Sequence, residues 1–259
     1  MSSIYVTGDC HSDVRRLSVD SFYEQKEMNN QDENFVIILG DFGLVWDRNE
    51  ESKMEKWWLD WLENKPFTTL FIDGNHENFD RLYQYPVKEW HGGKVHEIRP
   101  HVLHLMRGEV FEIENDKFFV FGGASSHDIS DGILDPYAFD DYDEFRETWK
   151  EWDEDGKMFR VKGWSWWEQE LPTEEEMQNG IKNLEKHNWE VDYILSHSPS
   201  ASTIALLGHG LYKQDILTKY LEEIRSKTEF RKHFAGHFHI NKALNSTDIL
   251  LYEQIIRIS

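Results

Sequence analysis

Five short apolar runs, each ending in a turn that carries an acidic, amide or imidazole side chain, set the tightest limit on how this chain folds. Residues 4–7 lead into Gly8-Asp9-Cys10-His11, and residues 35–39 into Gly40-Asp41-Phe42-Gly43. Residues 69–72 lead into Asp73-Gly74-Asn75-His76-Glu77, 193–195 into Ser196-His197, and 233–235 into Gly236-His237-Phe238-His239. Runs of three to five β-branched, Leu and aromatic residues bounded by turn residues read as buried strands.

Helical spacing lies between them. A helix is expected over 13–28, with Val14, Leu17, Phe22 and Tyr23 inward, and another over 50–64, with Met54, Trp57, Trp58, Trp61 and Leu62 inward. Thr173 and Glu176 form a capping box that opens a third. Residues 212–227 supply a fourth. Strand–helix alternation predicts crossover units and a largely parallel central sheet. Residues 102–105, 110–113 and 118–121 read as a meander, with Asn115-Asp116 turning its second hairpin. Residues 242–244, 249–252 and 254–258 read as further antiparallel strands. The expectation is an α/β fold: two packed mixed β-sheets flanked by helices, a four-layer αββα sandwich. Residues 1–259 read as one domain, without repeat or linker. An acidic insertion at about 128–178 carries Trp149, Trp152, Trp164, Trp166 and Trp167 in weak periodicity. Its charge reads as a solvated face, its aromatics as a candidate wall toward substrate.

Charge then limits the partners. Lys and Arg total 28 against 49 Asp and Glu, a formal net charge of −21. Such a field repels long polyanions, which disfavours a duplex-DNA reader or a polybasic membrane anchor. The single cysteine, Cys10, excludes an internal disulfide and a cysteine-based zinc finger. No secretory leader is visible and the apolar runs are far short of a membrane span, so a cytoplasmic protein is expected.

The polar residues at the run ends carry chemistry. Asp9, His11, Asp41, Asn75, His76, His197, His237 and His239 are all candidate metal ligands or acid–base groups, and oxygen plus imidazole donors suit Mn, Fe, Zn, Ni or Co. Asp9/His11 and His237/His239 are i, i+2 pairs, which in extended chain point to one side. Gly8, Gly40, Gly74 and Gly236 directly precede Asp9, Asp41, Asn75 and His237. With glycine at about 7% of residues, four such coincidences arise by chance roughly 2 times in 100,000. The expected reason is a sharp turn at φ > 0. In α/β sheets, sites lie at such strand ends.

In this order, Gly-Asp-x-His, Gly-Asp, Gly-Asn-His-Glu, the isolated His197 and Gly-His-x-His resemble the calcineurin-like metallophosphoesterase superfamily. The resemblance implies a two-sheet sandwich, a dinuclear metal centre and hydrolysis of phosphate esters. It assigns one metal to Asp9, His11, Asp41 and His239, and the other to Asp41, Asn75, His197 and His237, with Asp41 bridging. Two divalent ions, manganese favoured, would sit about 3.5–4 Å apart and turn a bridging water into the nucleophile. His76 resembles the family's catalytic histidine, as general acid or transition-state stabiliser. Two dications against Asp9 and Asp41 leave the centre locally positive inside an acidic shell. A small phosphoester or a phosphoprotein is therefore the expected substrate. A nuclease or cyclic-nucleotide phosphodiesterase on the same centre is the alternative. An inactive scaffold is disfavoured by the complete ligand set.

The remaining residues keep plainer readings. His91, His96, His101, His104, His127, His187, His209 and His233 read as packed or solvated histidines. Cys10 reads as a small buried filler, and Glu77 as a residue holding a ligand or capping a helix. Arg15 and Arg16 read as solvent-facing. His127 and Asp128 are candidates for the site mouth. Phosphoprotein phosphatases extend the second block to Gly-Asp-x-x-Asp-Arg-Gly. Here Leu44 and Val45 replace the acid partner of the catalytic histidine and a phosphate-gripping arginine, which places the chain outside that branch. Residues 164–173 resemble a segment of bacterial and phage-type members.

Overall fold

The computed structural model describes residues 2–208 and 214–259. The expected helix start at Tyr212 and the unassigned His209 lie outside the described residues. Strands β1 (Ser3–Thr7), β2 (Asn34–Ile38) and β3 (Thr68–Phe71) are parallel neighbours, with Tyr5 opposite Val36 and Val36 opposite Thr69. β4 (Val87–Trp90), β5 (Gly93–Arg99) and β6 (Val102–Leu105) form an antiparallel meander that joins β3 through a parallel β3–β6 pair. A second sheet starts with the hairpin of β7 (Glu109–Ile113) and β8 (Asp116–Phe121). β9 (Gly132–Leu134) and β10 (Phe159–Val161) pair with each other alone. β11 (Tyr193–Ser196), β12 (Lys232–Ala235), β13 (Lys242–Ala243) and β14 (Asp248–Leu250) complete the second sheet. β15 (Ile255–Arg257) returns to the first sheet beside β1. The strand orders are β15-β1-β2-β3-β6-β5-β4 and β13-β14-β12-β11-β8-β7. The helices are α1 (Lys53–Glu63), α2 (Phe79–Leu82), α3 (Tyr142–Glu154), α4 (Glu174–Lys186), α5 (Ala201–Gly208) and α6 (Ile216–Lys227).

Strand alternation makes the layers. On β1 and β2, Ile4, Val6, Phe35 and Ile37 point between the sheets and meet Phe118, Val120, Leu195 and Phe234 of the second. Tyr5, Val36 and Ile38 point outward to Leu59 and Leu62 of α1. Phe119, Phe121 and Ile194 point outward on the second sheet, to Leu184 of α4 and Leu217, Leu221 and Ile224 of α6. Three stacked cores therefore give the expected αββα order. Each fully buried Leu, Ile or Phe in them contributes roughly 1.5–3 kcal/mol.

Several local expectations are corrected. The stretch 13–28 holds two 3₁₀ turns, Arg15–Leu17 and Tyr23–Glu27, instead of one helix. Ser18, Asp20 and Ser21 lie mid-stretch, and such short polar side chains compete with helical backbone bonds. Val14, Leu17 and Phe22 still reach the core, whereas Tyr23 is exposed. On α1 the buried residues are Glu55, Leu59 and Leu62, while Met54 and Trp57 face solvent. The hairpin turn is Glu114-Asn115, one residue earlier than expected; both have positive φ (57° and 91°), as a two-residue primed turn requires. Residues 102–105 and 110–113 lie in different sheets, so no meander joins them. Buried Arg107, bonded to Asp73, pins the crossover between them. β14 is parallel to β12, and β15 pairs in the other sheet; of the pairings made by β13 to β15, those of β13 with β14 and of β15 with β1 are antiparallel.

The insertion has more structure than its weak periodicity suggested. Leu134, Phe145 and Val161 form a small core with Phe139, Trp152, Phe159 and Trp164. Three-residue strands are too short to show a period, so the aromatics register only as composition. No helix among the described residues is long and apolar enough to cross a membrane.

Candidate metal centre

Asp9 and His11 follow β1, Asp41 follows β2, and Asn75 and His76 follow β3. His197 follows β11, and His237 and His239 follow β12. All eight sit at the carboxyl ends of parallel strands, five on one sheet and three on the other. The turns are tight: His11 (46°), Asp41 (45°), His237 (67°) and His239 (50°) all have left-handed φ. Each such non-glycine residue costs of order 1–3 kcal/mol, a strain typical of working sites.

Of the four expected turn glycines, only Gly40 has positive φ (88°). The others are required by close approach instead. A Cβ on Gly74 would overlap the Asp41 carboxylate, one on Gly236 the Asp9 carboxylate, and one on Gly40 the His197 ring. The i, i+2 pairs are likewise turned rather than extended, and the second pair splits between two groups of ligand atoms.

Those groups share one residue. Asp9, His11, Asp41 and His239 each offer a ligand atom within 4.8 Å of the others, and so do Asp41, His197 and His237. Asp41 Oδ1 accepts the His76 backbone N–H at 2.8 Å. Its Oδ2 faces both groups, 3.6 Å from His11 Nε2 and 3.4 Å from His197 Nε2. Asp9 Oδ2 lies 3.1 Å from His239 Nε2, and both Asp9 oxygens accept the His237 N–H at 3.0 Å. The His11 and His239 Nε2 atoms are 2.9 Å apart. Glu77 clamps the second block by accepting from the Phe42 N–H at 2.7 Å and the Gly43 N–H at 3.3 Å, while Asn78 caps α2.

Electrostatics follow from burial and these carboxylates. Burial disfavours charge on Asp41, yet His197, His76 and His11 hold it well below the carboxylate range. Burial opposes protonation of His197, but Asp41 and Asp9 override it and push it up to about 10. Burial, helped by His197, lowers His237 to about 3. The field that favours a proton on His197 also favours a cation there. Burial pushes the Cys10 thiol up to about 12, which leaves it inert.

The sequence pattern of calcineurin-like phosphoesterases matches residues 2–241. The chain belongs to the calcineurin-like phosphoesterase family. It is a metal-dependent hydrolase of phosphoesters. A comparison with curated proteins found no match. Divalent metal fits the residues present in this calcineurin-like phosphoesterase. The buried Asn75 Oδ1 and His197 Nε2 find no hydrogen-bond partner among the described residues. His197 Nδ1 donates to the Leu39 carbonyl at 2.7 Å, which leaves Nε2 as the lone-pair atom facing the cluster.

Three of the expected non-ligands lie away from the cluster. His96 and His104 stack in the interior with Asp73, and His233 lies between Ser196 and Asp248. Leu44 and Val45 are fully buried in the outer core and cannot reach a substrate. Arg15 is solvent-facing and pairs with Asp13, but Arg16 is not free: it donates to the Asp9 carbonyl at 2.7 Å and braces the first block from behind. His127 borders the centre, its ring 5.9 Å from that of His237.

Sequence reasoning missed four neighbours. Arg160 Nη2 lies 3.0 Å from His76 Nε2 and pairs with Asp128. Trp46 lies 5.7 Å from the His76 ring and from Trp167 of the insertion, so one aromatic wall does reach the site. Ser126 accepts from Asn75 Nδ2 at 3.4 Å, and Glu170 accepts the Ser126 N–H at 3.1 Å. Arg160 and Glu170 follow no strand–glycine block; Ser126, after β8 and Gly122-Gly123, and Trp46, after β2 and Gly40, do, but a serine and a tryptophan are not ligand types.

Burial pushes Glu170 up to about 7 from an ordinary 4.5. The folded state thus binds this proton more tightly than the unfolded chain. Its stabilising contribution is complete below about pH 4.5 and is lost as pH rises through about 7, at most about 3 kcal/mol. Urea midpoints of wild type minus Glu170→Gln should show this slope between pH 5 and 8. Parallel pH profiles would refute it.

Proposed function

We propose that this phosphoesterase uses two divalent cations, manganese favoured, to hydrolyse small phosphate esters or a phosphate on a protein. The observation that carries the reading is Asp41, which alone among the described residues belongs to both ligand groups and turns its Oδ2 toward both. Asp9, His11, Asp41 and His239 would hold one ion; Asp41, Asn75, His197 and His237 would hold the other. When bound, the ions supply Lewis acidity that activates water and neutralises phosphoryl charge.

The protein's own groups do the rest. His76 stands beside the cluster, its ring 4.8 Å from His11 and its backbone fixed by Asp41. Burial lowers it to about 4 against the pull of Asp41, with Arg160 adding to the decrease. We therefore read His76 as a neutral hydrogen-bonding group at the transition state rather than a stored acid. The acidic surface supports a compact substrate over a long polyanion. The reading treats 1–259 as one domain whose insertion belongs to the same site, and the return of β15 to the first sheet supports it. One buried thiol suits a reducing, cytoplasmic setting.

The test is a panel of p-nitrophenyl phosphate, bis-p-nitrophenyl phosphate, single-stranded DNA and RNA, and 2′,3′-cyclic nucleotides, run with Mn, Fe, Zn, Ni and Co. Turnover of p-nitrophenyl phosphate that depends on added metal is expected. Turnover of nucleic acid alone would replace the reading with the nuclease, and no turnover with any ion would overturn it.

A further inference from the structure

The insertion places one cation against the catalytic edge. Arg160 lies on β10, next to Val161, which points into the insertion's own core. Strand alternation turns Arg160 to the opposite side, toward the site. The residue is buried, and a buried guanidinium is tolerated only when well paired. Its Nε and Nη2 donate to the two Asp128 oxygens at 2.7 and 2.9 Å, and Nη1 donates to the Ser165 carbonyl at 2.9 Å. Asp128 opens the insertion shortly after β8, so the pair holds β10 against the point where the chain leaves the second sheet. These bonds fix the fork independently of the metal cluster. Nη2 also donates to His76 Nε2 at 3.0 Å.

A neutral imidazole is a weaker partner for that N–H than an anionic phosphoryl oxygen, since charge-assisted bonds are roughly twice as strong. A phosphate entering beside His76 takes the N–H, and His76, no longer accepting it, can bond the same group as its Nε2–H tautomer. We propose that Arg160 is a substrate-binding residue through which this site selects phosphomonoesters over phosphodiesters. The proposal rests on the phosphoesterase reading above. A monoester brings two charges and three terminal oxygens; a diester brings one charge and two. A diester has a second ester group in place of the third oxygen, which leaves a desolvated cation facing carbon. Arg160 thereby supplies from the insertion a charge that buried Val45 does not. Asp128 is its positioning residue.

The experiment compares wild type, Arg160→Ala, Arg160→Lys and Asp128→Asn, each loaded with metal, on p-nitrophenyl phosphate and bis-p-nitrophenyl phosphate. Binding of inorganic phosphate is measured separately by calorimetry, and metal content by elemental analysis. Arg160→Ala should lose ~100-fold in monoester kcat/KM, the range for one transition-state donor. The diester should lose at least ~10-fold less, so the preference ratio collapses; phosphate affinity should fall ~10-fold while two metals remain, as expected for loss of one charge-assisted contact. Asp128→Asn should raise KM more than it lowers kcat. A ratio and phosphate affinity within twofold of wild type would overturn the proposal. Should Arg160→Ala not fold, Arg160→Lys decides by the same two readouts, because lysine keeps the charge but not the fork. Should wild type hydrolyse neither ester, the phosphoesterase reading fails, and equal phosphate affinity in wild type and variant overturns the proposal separately.

Discussion

Asp41→Asn should leave a folded protein that binds fewer than two metals and loses on the order of 10³ to 10⁴ in kcat/KM, about 4–5.5 kcal/mol of barrier. Asparagine preserves shape and keeps an oxygen to accept the His76 N–H, so the local fold survives. It removes the one charge that belongs to both ligand groups. Loss of that carboxylate also leaves His11 and His197 facing a neutral amide. Any other ligand substitution touches one group only and should spare part of the metal content. Elemental analysis with steady-state kinetics checks the expectation. Two metals bound and activity within tenfold of wild type would show that Asp41 does not bridge.

His76→Ala should have the opposite signature: full metal content, an unchanged melting temperature in the metal-loaded protein, and kcat lower by roughly 10² to 10³, the scale of one positioned proton-handling or hydrogen-bonding group. His76 reaches the cluster through its backbone N–H, which alanine keeps. What alanine removes is the ring between Trp46, His11 and Arg160. The two variants separate holding the metal from using it. If His76→Ala loses metal in step with activity, then His76 is part of the binding site and its assigned role is wrong.

Most residues legible in sequence were those whose strand, glycine and ligand fall within five positions of one another; His197, with a strand but no glycine, was legible only in company with them. Asp9, Asp41, Asn75 and His237 each announce themselves by that spacing; the structure brings Asp9, Asp41 and His237 into the ligand groups and sets Asn75 between Gly74 and His76, both of which abut Asp41. The glycine rationale holds at one of the four positions. Gly40 has the expected backbone, but Gly74 and Gly236 are there because a neighbouring carboxylate lies where a Cβ would stand. That is a contact across more than thirty residues for Gly74 and more than two hundred for Gly236, and no local pattern reports it. Arg160 was invisible for the same reason. Its pairing with Asp128 and His76 depends on two three-residue strands whose aromatic neighbours look like composition rather than periodicity. The helix expected over 13–28 does not form because Ser18, Asp20 and Ser21 compete for its backbone hydrogen bonds despite the helical apolar spacing. The hairpin at 114–115 shifted by one residue because Asn115 is the second of the two left-handed positions.

The return of β15 to the first sheet has a consequence for how the molecule is made. The chain lays down β1 to β6, leaves to build the second sheet, and seals the β1 edge only with residues 255–257. Until then β1 presents an unpaired edge, the kind of surface that recruits other chains. The ligand set has the same timing, since Asp9 must wait for His239. Contacts of such sequence separation slow folding, because loop closure precedes the interactions that reward it. A chain that has built only β1 to β6 thus carries half a sandwich and half a site, and it gains metal affinity and a closed sheet edge together, when the segment from His237 to β15 docks.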